Sequence, residues 1–172
     1  MQRRILEGRP RLPAKAKELF RRMHAAIQRA SIDGTLRTNS YEASRLLGIR
    51  ERTSAAIIVG GARSWNCVPD GGVFMRRDGA WFTFTLQVMP DTDGSLRLES
   101  YSFQLCMPTG SAPLYLRFDL GGPDDGYVHE GLRSHLHPGA SDARVPAPLL
   151  SPLELLDLFL YGLRGASGSA AG

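Results

Sequence analysis

The chain has 172 residues, 42% hydrophobic and 22% charged, which suits one globular domain with a core large enough to need no staples. Its apolar runs are only a few residues long, which excludes a membrane-spanning helix. The formal charge of +4 is uneven, since residues 1–53 carry thirteen Lys or Arg against five acids and the remainder eight against twelve.

That asymmetry points the first third of the chain toward an acidic partner such as nucleic acid. The competing reading is a solvated, Arg-rich helix face. The N-terminal MQRRILEGRPRLP has charge but no apolar segment or small-residue cleavage site. It reads as a basic flexible arm over 1–12, not as a secretory leader. Cys67 and Cys106 are far apart and outside any CxxC spacing, so free thiols in a cytoplasmic chain are expected.

A single domain is expected over 13–165. From Pro13 the apolar residues Ala16, Leu19, Phe20, Met23, Ala26, Ile27 and Ala30 recur at helical spacing, and Asp33-Gly34 ends the run. Lys15, Lys17, Arg21, Arg22 and Arg29 give this predicted helix, 13–31, a basic face for nucleic acid. A second short helix is signalled by Asn39 and Glu42 in capping-box spacing, with Gly48 past its end. The pair fits a helix-turn-helix reader poorly in turn and helix length. After a β-prone run, Ser54 to Val59, Gly60-Gly61 leads into no phosphate-loop pattern.

The period then changes to two. Val73 to Arg77 and Trp81 to Val88 flank Asp78-Gly79, a hairpin signal. Phe82, Phe84, Leu86 and Val88 share one face of the second strand. A third strand runs through Leu96, Leu98, Tyr101, Phe103 and Leu105 with a register change near Ser100, and Leu114 to Leu120 is a fourth. Tyr127 to His137 is strand or extended segment, and Pro146 and Pro148 forbid regular structure before the last helix. That helix has a cap, a first-turn proline and a capping-box glutamate in Ser151-Pro152-Leu153-Glu154, and stops at Gly165. The glycine- and alanine-rich 166–172 reads as a disordered tail. The expected fold is α+β: an N-terminal helical pair, a four- to five-stranded antiparallel meander, and a C-terminal helix packed on the sheet.

Chemistry concentrates near the C-terminal end. In an extended segment His135 and His137 share a face, and so do Arg117 and Asp119 on the fourth strand. His129 joins the histidine pair only if the chain turns near Gly131. With His129, His135 and His137 as ligands, a divalent metal such as zinc would keep an open position for water. Without metal, His135 and His137 are proton carriers near neutral pH, Asp119 orients one imidazole, and Arg117 and Arg133 hold phosphate. The plainer alternative makes the histidines polar residues of an edge strand. Pro123-Asp124-Asp125-Gly126 is a turn before it is a cation site. Ser134 lacks a Gly-x-Ser-x-Gly setting, which argues against a serine nucleophile.

Residues 114–164 resemble the TumE-type toxins and uncharacterised relatives from bacterial toxin–antitoxin and defence loci. The parts that carry the resemblance are Arg117-Phe118-Asp119, His135-Leu136-His137, Arg144-Val145-Pro146 and the capped helix from Ser151-Pro152. The resemblance implies a helix-flanked antiparallel sheet and a toxin-like or defence-associated role, acting on nucleic acid or beside an antitoxin or defence-complex subunit. It assigns no catalytic residue. Two functions therefore stand: a nuclease-like phosphodiester site built on His-x-His, or a non-catalytic module that binds a protein partner.

Overall fold

The structure is a computed structural model that describes residues 10, 12–52, 54–62, 67–69, 71–122, 133–140 and 142–163. Most of the predicted arm, the predicted tail, Asp124, Asp125 and His129 lie outside them. The order of elements is α1 (Ala16–Ile32), α2 (Ser40–Leu46), β1 (Leu47–Glu51), β2 (Ala56–Gly60), β3 (Phe74–Met75), β4 (Trp81–Pro90), β5 (Leu96–Cys106), β6 (Tyr115–Leu120), β7 (Ser134–Pro138), β8 (Val145–Pro146) and α3 (Pro152–Asp157), which continues into a π-helical turn, Leu158–Gly162. The class is α+β, with every described strand pair antiparallel and the strands ordered β1-β2-β4-β5-β6-β7-β8; β3 also lies beside β4.

Among the described residues eight strands replace the four to five expected. Gly48 does follow a helix end, but it lies inside β1, because Leu47 is already extended and Leu47–Glu51 pairs with Ala56–Gly60. Pro146, expected to forbid regular structure, sits in the two-residue edge strand β8. An edge tolerates proline because one side of the strand needs no ladder donor. Helix α1 starts at Ala16 with Lys15 as N-cap, later than Pro13 suggested.

Both capping boxes form. Asn39 accepts from the Glu42 amide at 2.9 Å, and Ser151 from the Glu154 amide at 3.2 Å, each glutamate returning a bond to the cap's own N–H. The Asp78-Gly79 turn closes the β3–β4 hairpin, with Gly79 at φ +84°. The expected register change is a bulge at Glu99: Ser100 faces Gln87 and Leu98 faces Val88. The carbonyls of Leu98 and Glu99 receive Arg133 Nη2 at 3.5 and 3.3 Å.

The apolar period of β4 makes one face of the sheet the core. Phe82, Phe84, Leu86 and Val88 join Phe103, Leu105, Phe118 and Leu120, covered by Leu19, Met23 and Ile27 of α1 and by Leu155, Leu156 and Phe159 of the C-terminal helix. The Phe159 ring lies about 6 Å from those of Phe82, Phe103 and Phe118. Gly60 is required there, since a Cβ would collide with the Phe84 ring. Arg76, itself buried, ties the hairpin to this helix by donating to the Phe159 carbonyl at 2.6 Å while paired with Asp78.

The other face of the sheet is also largely buried but polar. Strand register places Thr83, Gln104, Arg117 and His137 in one row across it, and Thr85, Ser102, Asp119 and His135 in the next. One row in the opposite direction holds Trp81, Cys106 and Tyr115. Here the expectation of free thiols is corrected: Cys67 and Cys106 form a disulfide, with Cα atoms 5.7 Å apart. Sequence spacing gave no hint because the contact depends on where the loop after β2 returns over β5.

Candidate functional site

Two dipeptide spacings produce the site. Arg117 and Asp119 alternate out of β6 with Phe118 turned to the core, and His135 and His137 flank Leu136 on β7 in the same way. The β6–β7 register sets Arg117 opposite His137 and Asp119 opposite His135. Four side chains that carry charge or protons therefore form one square on the polar face.

Their centre is a single oxygen. Asp119 Oδ2 accepts from Arg117 Nε at 2.8 Å and lies 3.2 Å from His137 Nε2 and 3.9 Å from His135 Nε2. The imidazoles meet edge to face, with ring centres 4.9 Å apart. The His135 and His137 side chains are only 5% and 2% exposed, so this is not the solvated edge of a strand. Asp119 Oδ1 and His137 Nδ1 are buried without a hydrogen-bond partner. Burial holds His137 below the ordinary imidazole range; the Arg117 charge adds to this and Asp119 opposes it. A neutral imidazole with a free lone pair is the form that binds a metal.

The arrangement selects among the chemistries that the sequence left open. General base and general acid on opposite sides of an in-line phosphate need separated imidazoles, whereas here both Nε2 atoms converge on one carboxylate. Convergence suits a cation. One ligand atom each from Asp119, His135 and His137 lies within 4.8 Å of the others. Zinc bonds of 2.0–2.2 Å put tetrahedral ligand atoms roughly 3.3 Å apart. The 3.2 Å from Asp119 Oδ2 to His137 Nε2 matches that spacing, and the 3.9 Å to His135 Nε2 is somewhat longer. Asp119 is the third group beside His135 and His137 among the described residues, and His129, the third group in the sequence reading, lies outside them.

The other predicted residues lie elsewhere. Arg133, expected to hold phosphate, donates to the carbonyls of Gly121, Leu98 and Glu99, so it braces the bulge. Lys15, Lys17, Arg21, Arg22 and Arg29 are exposed at α1, with Lys17 paired to Glu51 and Arg21 to Glu18. Because α1 packs on the core face, this basic surface and the histidines are on opposite sides of the sheet. His24 joins α1 to α2 through Ser44 Oγ, 3.1 Å away. Sequence reasoning missed Gln104, whose Nε2 is 3.3 Å from Cys106 Sγ and 3.8 Å from Cys67 Sγ. Its place between Phe103 and Leu105 in an alternating strand was the available signal.

Comparison with protein-family models, curated proteins and solved structures finds no match for this chain. Among the described residues no helix is long and apolar enough to cross a membrane.

Proposed function

We infer that the protein is a metal-dependent, nuclease-like enzyme of toxin or defence type, holding one divalent cation of the zinc class on Asp119, His135 and His137. The observation that carries this reading is the convergence of three ligand atoms within 4.8 Å in a nearly dry setting. Two nitrogens and one carboxylate oxygen form a donor set that leaves a fourth tetrahedral position to water, which such a cation brings to a pKa of about 7. Arg117 stays beside the carboxylate and supplies positive charge for a phosphodiester oxygen. The basic first third of the chain supports nucleic acid as the substrate class.

One observation favours the second reading, a non-catalytic module for a protein partner: the basic surface is on the far side of the sheet from the histidines. Both readings are tested by titrating zinc or manganese into the full chain beside a His135→Ala/His137→Ala variant, followed by RNA and DNA hydrolysis assays. One equivalent of metal and a metal-dependent activity, both lost in the variant, are expected. Absence of both metal binding and hydrolysis in the full chain would overturn the enzyme reading in favour of the module, and hydrolysis unchanged in the variant would overturn the assignment of the site.

A further inference from the structure

We propose that the Cys67–Cys106 disulfide is a redox control on the Asp119/His135/His137 site, acting through Gln104 and Arg117 so that the oxidised chain holds the metal more tightly than the reduced one. The proposal rests on the metal reading for its functional consequence, but its structural part stands separately. It starts from position. Cys106 ends β5 on the polar face, and Gln104, on the same face two residues earlier, has its amide nitrogen against both sulfurs. Gln104 is directly opposite Arg117 on β6, and Arg117 directly opposite His137 on β7. Arg117 in turn holds Asp119 Oδ2 at 2.8 Å. A row of immediate cross-strand neighbours therefore runs from the sulfurs to a proposed ligand, and Gln104 and His137 are both buried, with little room to move independently.

Three further observations make this disulfide a switch and not only a staple. Cys67 is held at φ +50°, the one non-glycine among the described residues with positive φ, so the bridge keeps its backbone in a sparsely populated conformation that reduction releases. The two sulfurs differ in access: Cys106 is fully buried, whereas Cys67 is partly exposed. Finally, the bridge lies on the face opposite the packed helices, and neither cysteine belongs to the apolar cluster beneath those helices.

The reductant proposed for the switch is a dithiol. Its thiolate attacks the accessible Cys67 sulfur, the S–S bond breaks, and Cys106 leaves as a thiolate that takes up a proton. The second thiol of the reductant then displaces Cys67 from the mixed disulfide, Cys67 is protonated, and the reductant departs oxidised by two electrons. With the sulfurs parted, the Gln104 amide loses the pair it rests against, Arg117, which holds Asp119, loses a fixed cross-strand neighbour, and the preorganisation that favours metal binding declines.

The test compares the oxidised full chain, the chain reduced by a non-chelating phosphine, and a Cys67→Ser/Cys106→Ser variant, which has no thiol to bind zinc. Imidazole signals of His135 and His137 and amide exchange over 115–119 and 133–138 are read by NMR, with zinc titrated in parallel. Expected are shifted imidazole signals, faster exchange and at least tenfold weaker zinc binding in the variant, with a similar melting midpoint. Unchanged signals, exchange and affinity in both the reduced chain and the variant would overturn the proposal. Changed signals without zinc binding in any form would leave the redox coupling in place and reject the metal reading instead. A variant that fails to melt cooperatively would show that the bridge is a staple and would likewise overturn the proposal.

Discussion

Arg76 joins two separate parts of the fold through one buried side chain. Its guanidinium, in a side chain 4% exposed, meets both oxygens of Asp78 and the Phe159 carbonyl, so it supports the hairpin turn and the end of the C-terminal helix together. Removing one partner of a fully buried pair costs about 3–5 kcal/mol. Asp78 is 36% exposed and water compensates it in part, so Arg76→Met should cost roughly 2–3 kcal/mol, seen as a lower urea midpoint at unchanged slope. A loss below that of an ordinary surface substitution would mean that Phe159 finds another donor. Arg133→Ala should cost roughly 1–2 kcal/mol through the bulge carbonyls and leave zinc stoichiometry unchanged, which separates its bracing role from phosphate binding. Asp33 accepts from the Thr35 amide and from the Tyr161 hydroxyl, joining the ends of α1 and the C-terminal helix. Those bonds, the Thr35 amide first, hold its carboxyl below the ordinary range. Its contribution is therefore full above the unfolded value and is lost as pH falls below about 4. Asp33→Asn should flatten the acid limb of a stability profile, whereas an unchanged limb would assign that limb to other carboxylates.

At the scale of elements, the local signals in the sequence were those whose physics is local. Asn39 with Glu42 and Ser151 with Glu154 name their helix starts because a capping box is completed within four residues. Asp78-Gly79 names its hairpin because the turn needs positive φ, and the parity break between Leu98 and Tyr101 names a bulge because alternation cannot otherwise survive it. Strand β1 was not legible, since Leu47–Glu51 is short, contains Gly48 and depends on β2 for its ladder. Strand β8 is two residues long and includes a proline. The π-helical turn at Leu158–Gly162 has no sequence mark, yet it ends the element that carries Phe159 into the core. The cap that starts this element should matter accordingly: Ser151→Ala is expected to cost about 1 kcal/mol and to raise amide exchange in residues 153–156 before any effect on β4 or β5. Equal rises in helix and sheet would indicate that the cap is felt only through global unfolding.

At the scale of the molecule, the sequence showed the pairings Arg117 with Asp119 and His135 with His137 but not that the two pairs face each other. That depends on the β6–β7 register, which is a long-range property. The disulfide was invisible for the same reason. Charge asymmetry suggested that α1 gathers nucleic acid for the histidines, but alternation in β4 and β5 gives the helices one face and the histidines the other. A single strand of nucleic acid that used both would have to pass around an edge of the sheet. The two surfaces are therefore expected to behave as separate binding functions. Replacing Lys15, Arg21, Arg22 and Arg29 by Gln should reduce the salt dependence of nucleic-acid binding, by about 0.7–0.9 in the log–log slope per phosphate contact removed, with zinc affinity unchanged. His135→Ala/His137→Ala should abolish zinc binding and leave that slope intact. If the α1 replacements weaken zinc binding as well, the two faces communicate through the core that α1 and the sheet share.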